Sequence, residues 1–333
     1  MPGLSSLFSG LRSRQADARE LEPLHGRPKR TILIQNYHTP ASKALARDFK
    51  KIGFAVYSPD SDWGSISYYH DNSELGGKLV SKKDYFSLDP GYVLITCKPH
   101  ELDMRVIAHA HNDKLILNIA EHDFTYQSGL GDIMICPDIR TFENYPAKLK
   151  HKLLYFPRPD LSQELSKDVA AAFASRRACS YISFPAQWPQ GTAAFQRFKA
   201  LYKGEFRAHG LEAPDGPLLH AHANQLMSSS FVTVHFKDKE AYGLSCLESM
   251  MLGTPIVSLN SFMHDKTLGR FFLTPANSIL TDTVDEAVER LETLSLQDYA
   301  AMSAAARERV MELTSDARTV ERLDAAISEY SPR

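Results

Sequence analysis

The chain has 333 residues, 43% of them hydrophobic and 23% charged, the mix of a folded globular protein with room for two domains. Its net charge of -2 gives no overall field for nucleic acid, and no apolar run reaches the ~18 residues that would cross a bilayer. Cys97, Cys136, Cys179 and Cys246 form no C-x-x-C pair, so they read as buried reduced thiols of a cytoplasmic protein, not as zinc ligands or a dithiol.

Residues 1–29 are a basic tail, and "LSSLF" is too short and too polar for a signal-peptide core. Within the tail Leu4, Leu7, Phe8 and Leu11 fall on one helical face, with Arg12 and Arg14 close behind. Two readings of residues 3–14 stay open: peripheral contact with the inner membrane face, or a disordered or self-docked tail. Order begins at "RTILIQNY", whose apolar run predicts a buried strand. "TPASKALARDFKKIGFAVYSP" then predicts helix, a stop at Gly53 and strand; Ala44, Leu45, Phe49 and Ile52 make the helix's apolar face. "YVLITC", "KLILNIA", "DIMICPD" and "KLLYF" read as further strands and "HELDMRVIAHA" as helix, so residues 30–157 predict one doubly wound α/β domain.

"FPRPDLSQ", with two prolines around Arg158, predicts the linker. A second α/β series over 158–312 follows: strand "ACSYISF", helix "GTAAFQRFKALYKGEFRAHG" with Gly204 near its end, strand "FVTVHF", helix "SCLESMMLG" and strand "TPIVSL". Amphipathic helices close the chain, with 313–333 placed to pack back on the first domain and with Thr283 and Ser315 as caps.

The stretch from Val234 to Leu259, "VHFKDKEAYGLSCLESMMLGTPIVSL", carries the chemistry. It begins at the C-terminal end of a strand, where open α/β sheets bind ligands. Gly243 and Leu244 lead into a helix starting about Ser245, whose first amides and dipole suit a phosphate. Glu248, in the first turn, would accept from a ribose diol, and Glu240 would meet a group attached beyond the phosphates. That order of subsites fits a nucleotide-sugar.

Glu240-Ala-Tyr-Gly-Leu-Ser-Cys-Leu-Glu248 resembles the E-x7-E motif of retaining glycosyltransferases, and "SMMLGTPIVS" is similar to its continuation in glycosyltransferase family 4. The resemblance implies a GT-B fold: α/β, with two Rossmann-like doubly wound domains facing a cleft and a helical C-terminus. It implies sugar transfer with retention from a UDP- or GDP-sugar to a glycan, lipid-linked or small-molecule acceptor, with no metal. Glu248 would bind the ribose and Glu240 the donor sugar; the amides of Gly243 and Leu244 would meet the diphosphate, with Thr254 near the nucleotide. His122 in "AEHD" resembles the family's histidine facing the sugar and is the third active-site candidate beside a plain loop reading. The chain departs from the family in "ISFPAQWPQG", where Gln190-Gly191 replaces Lys-Gly and no arginine stands. Lys199, Lys203, Lys237, Lys239 and Arg158 are the candidates for the missing charge, and the short segment after Gly191 suggests a trimmed βα unit.

The 13 histidines include the H-x-H pairs His109/His111 and His220/His222, which lack the further ligands a metal site needs. "DSD" at residues 60–62 reads as a solvated turn. The alternatives are a DNA-modifying glycosyltransferase, which would need a basic groove, and a relative that binds nucleotide-sugars without turnover. A dehydrogenase is disfavoured because no G-x-G-x-x-G follows "TILIQNY".

Overall fold

The structure is a computed structural model that describes residues 30–34, 39–60, 72–81, 83–84, 92–95, 115–119, 133–144, 151–161, 165–240 and 242–329. The basic tail, Cys97, His109, His111, His122 and nearly all of the aromatic stretch 62–72 lie outside these residues.

Seven strands form the first sheet: β1 (Arg30–Ile34), β2 (Phe54–Pro59), β3 (Lys78–Val80), β4 (Tyr92–Ile95), β5 (Leu115–Ile119), β6 (Ile133–Cys136) and β7 (His151–Leu154). They run parallel in the order β3-β2-β1-β4-β5-β6-β7. Helix α1 (Thr39–Lys51) connects β1 to β2, and α2 (Ile139–Asn144) follows β6. Ala44, Leu45, Phe49 and Ile52 are buried, as the periodicity predicts. Each large apolar side chain on that face contributes about 1.5–3 kcal/mol by leaving water.

The second sheet is also parallel, in the order β12-β11-β10-β8-β9. Its strands are β8 (Ala178–Tyr181), β9 (Phe206–His209), β10 (Val232–Val234), β11 (Ile256–Leu259) and β12 (Ser278–Thr281). Around it lie α3 (Val169–Ser175), α4 (Pro189–Leu201), α5 (His220–Ser229), α6 (Leu244–Met251), α7 (Val284–Thr293) and α8 (Leu296–Leu313). Helix α9 (Val320–Glu329) is the last described element. Thr283 caps α7 in a reciprocal box with Glu286.

One strand, β9, and one helix, α5, stand between α4 and β10. Two expectations need correction. Helix α4 stops at Leu201, because Tyr202 turns to extended backbone and a side chain at Gly204 would meet the Arg176 carbonyl at 2.3 Å. Ser315 does not cap a helix start. Its hydroxyl donates to Glu312 O at the end of α8, and α9 begins only at Val320.

Tyr155 and Phe156 mark the crossing between lobes. Tyr155 is buried in the first core and donates to Asp48 on α1, while Phe156 packs in the second core against Tyr242, Phe271 and Phe272. Val320, Leu323 and Ile327 of α9 join the first core, and Lys51 pairs with Asp316 at 2.7 Å. The lobes also meet through Thr267, which donates to Pro137 O and accepts from Ile139 N, both at 2.9 Å. Arg270–Glu143 is an ion pair across the same seam.

Candidate active site

In the second sheet the winding direction reverses between β8 and β10, neighbouring strands that are not consecutive among its strands. The crevice beyond their C-terminal ends is where a doubly wound sheet takes a ligand. Two loops meet there, Ile182–Trp188 after β8 and His235–Gly243 after β10. Gly191, near the start of α4, lets them close up: a side chain there would fall 2.1 Å from the Phe236 carbonyl.

Gly243 begins α6 in the left-handed region, at φ 74°, and offers no side chain to cap the helix. It is packed so closely on Leu268 that an added Cβ would lie 2.2 Å from Cδ1. Leu244 is the first helical residue. Glu248 is the fifth, in the second turn and not the first, so the helix starts one residue earlier than the spacing suggests.

Glu248 is buried, with its side chain 7% exposed, and its Oε1 lies 3.2 Å from His220 Nε2. His220 opens α5. The hydrogen bond to Glu248 holds the His220 pKa above the usual imidazole value; burial opposes the shift, and the charges of Glu248 and Asp160 assist it. Glu248, His220 and Ser245 line a cavity of about 540 Å3 whose opposite wall is Pro40, Lys43 and Glu74 of the first lobe. Tyr181 and His209, stacked with centroids 6.3 Å apart, also line it. The volume is that of a small-molecule site between lobes.

Glu240 does not line that cavity. It stands on the β10–α6 loop, its side chain 10% exposed, and faces two basic groups: His235 Nε2 at 3.0 Å and Lys237 Nζ at 3.3 Å from Oε2. His235 is fully buried, and its Nε2 is close to the carboxylate but off the line of a good hydrogen bond. Burial is the main cause that raises the pKa of the Cys246 thiol, and the charges of both carboxylates add to it, so both lie near that thiol in the first turn of α6.

The remaining site expectations fare differently. Thr254 is fully buried, donates to Met227 O at 2.6 Å and accepts from Lys167 Nζ at 2.7 Å; it is a strut under α5 and does not reach the cavity. Lys199 is exposed on α4, and Lys203 beyond its end is 83% exposed and pairs with Glu292 on α7; neither lines the cavity. Arg158 donates to the Met311 sulfur. Among the described residues no group of three or more His, Cys, Asp or Glu is placed to share a metal ion, and no helix is long and apolar enough to cross a membrane. His220 and His235 are the residues the sequence reading missed. The first stood among the H-x-H pairs and reaches Glu248 because α5 packs beside α6; the second stood inside an apolar run five residues before Glu240.

No family model matches the chain, and no curated protein matches its sequence. Solved structures do match. Sucrose-phosphate synthase from Thermosynechococcus elongatus superposes with a TM-score of 0.64 at 12% identity, over 90% of this chain and 99% of that one. The UDP-glucose complex of Anabaena Alr3699/HepE gives 0.60 at 13% identity, over 90% and 98%. The fold is GT-B. TarM matches with a TM-score of 0.51 at 10% identity over 71% of this chain, which spans about half of TarM, 54%.

Proposed function

We propose that the protein is a retaining glycosyltransferase of family 4 type that moves a sugar from a UDP- or GDP-sugar to a glycan, lipid-linked or small-molecule acceptor. The observation that carries this reading is the bracketing of one uncapped helix start by Glu240 and Glu248 at the switch point, with Glu248 on the wall of the inter-lobe cavity. Support also comes from the neighbours of like fold, one of them a UDP-glucose complex.

In this reading Glu248 accepts from the ribose hydroxyls, and His220 holds the carboxylate in place. The first amides of α6, at Gly243 and Leu244, face the diphosphate, as helix starts do for anions. Glu240 contacts the donor sugar. The bond between the anomeric carbon and the diphosphate oxygen breaks with its electron pair left on the phosphate. The acceptor hydroxyl bonds to the same face of the carbon, and its proton passes to the departing phosphate. Stabilised charge on the leaving group drives such a step more than a protein nucleophile would.

The test is a thermal-shift screen of the full chain against nucleotides and nucleotide-sugars, followed by transfer and hydrolysis assays. A ligand bound only by the native state raises the melting temperature as RT ln(1 + [L]/Kd). The expected result is a shift with one diphosphate and its sugar, and turnover that Glu240→Gln abolishes. No shift with any nucleotide would overturn the reading, and a shift without turnover on a broad acceptor set would reduce it to donor binding alone.

A further inference from the structure

A diphosphate carries concentrated negative charge, and a helix start alone meets it with only a partial positive one. The β8–α4 loop, "ISFPAQW" from Ile182 to Trp188, contains no basic residue. On the opposite loop the basic residues are His235, Lys237 and Lys239. His235 is sealed in, and Lys239 is open to solvent. Lys237 lies between these extremes, 20% exposed.

The surroundings of Lys237 fix it in place. Its Nζ lies 4.7 Å above the Trp188 ring, a cation–π contact. That ring is itself held, because Trp188 Nε1 donates to Ser183 O at 3.2 Å. Phe236, the residue before Lys237, is pressed against Gly191 of α4. The ammonium is thus tied to both loops of the switch point, between two helices that begin without a side-chain cap, α4 at Trp188 and α6 at Gly243. Its anionic contact is Glu240 at 3.3 Å, a carboxylate that also faces His235.

We infer that Lys237 is the residue that supplies the countercharge to the donor's diphosphate, positioned by Trp188 and held by Glu240 until the donor enters. This deepens the proposed function and rests on it. The cation comes from the loop after the third strand of the second lobe, so the loop after its first strand needs no arginine or lysine. Once the donor is bound, Lys237 faces the phosphates, and Glu240 is released from this basic neighbour to meet the sugar.

Calorimetry on the full chain with UDP, uridine, GDP and guanosine tests this, comparing wild type with Lys237→Gln, Lys237→Arg and Trp188→Leu. A hydrogen bond to a charged group is worth about 1.5–3 kcal/mol, so Lys237→Gln should weaken the diphosphate that wild type binds by about ten- to a hundredfold. The matching nucleoside should change by less than about twofold, because a nucleoside brings no charge to the ammonium. Lys237→Arg should restore most of the loss, and Trp188→Leu should show a smaller loss of the same selective kind. Equal weakening of diphosphate and nucleoside, or none of either, overturns the assignment and leaves the transferase reading standing. Failure of wild type to bind either diphosphate overturns both.

Discussion

Gly243 lies where backbone conformation and packing constrain the same atom, and its replacement by alanine separates the two. The residue has φ 74°, a region that L-residues enter at about 1–2 kcal/mol. A Cβ would lie 2.2 Å from Leu268 Cδ1 and 2.8 Å from Cγ, and Leu268 is fully buried, so the leucine must change rotamer inside a filled core. Overpacking of that kind costs about 1–3 kcal/mol. Gly216 provides the control: it has φ 72° in the same lobe, with nothing within 4 Å of its would-be Cβ. Gly216→Ala should therefore lose about 1–2 kcal/mol, from the conformational strain alone. Gly243→Ala should lose about 2–5 kcal/mol, the sum of strain and overpacking. Urea unfolding followed by far-ultraviolet dichroism reads the midpoints, compared at equal slope. Equal losses in the two variants would refute the packing argument. Under the proposed function, affinity for the nucleoside diphosphate that wild type binds should fall in Gly243→Ala only, because the displaced residue begins the helix proposed to face the phosphates.

Thr254→Val keeps the shape but removes the donor to Met227 O and the acceptor for Lys167, and should cost about 1–3 kcal/mol. Its affinity for the nucleoside diphosphate that wild type binds should stay within about twofold of wild type, since the hydroxyl is a strut; a selective loss of that binding without destabilisation would return Thr254 to the nucleotide site. His220 has its folded pKa raised by Glu248, so the stability it adds is fully present below about pH 6.5 and is lost as pH rises through the elevated folded value. The melting temperature of wild type relative to His220→Gln should fall across that window, by a small amount because the side chain is 42% exposed. A difference independent of pH from 5 to 9 would contradict the pairing.

Much of the fold was legible because its strands are continuous apolar runs and its first helix buries one regular face. What was missed shares a physical cause. Strand β9 is Phe206-Arg207-Ala208-His209, an edge strand paired only to β8, and none of its four residues is fully buried. Arg207 lies among Glu205 and Asp215, so its charges are met on the surface. A strand that buries one face poorly gives almost no alternation to read. Helix α5 buries only Asn224 and Met227 and begins "HAHAN", so its apolar stripe is too thin to show as a period. In both cases few side chains of the element are buried, so its own sequence carries little period.

The site was legible to the degree that it is local. Glu240, Gly243 and Glu248 fall within nine residues, and a helix start after a strand end is a pattern one segment can carry. The rest depends on strand order, which no segment contains. Trp188 and Lys237 are far apart in the chain and touch because β8 and β10 are neighbours with the reversal between them. His235 reads as a stray polar residue at the end of "FVTVHF", yet it is the first residue past β10 and its buried ring lies 3.0 Å from Glu240. His220 reaches Glu248 only because α5 leads into β10 and packs beside α6. The same topology makes the departure at Gln190 intelligible. A crevice built from two loops can take its positive charge from either one, so a lysine absent from the β8 side need not mean an absent function while Lys237 stands across the gap on the β10 side.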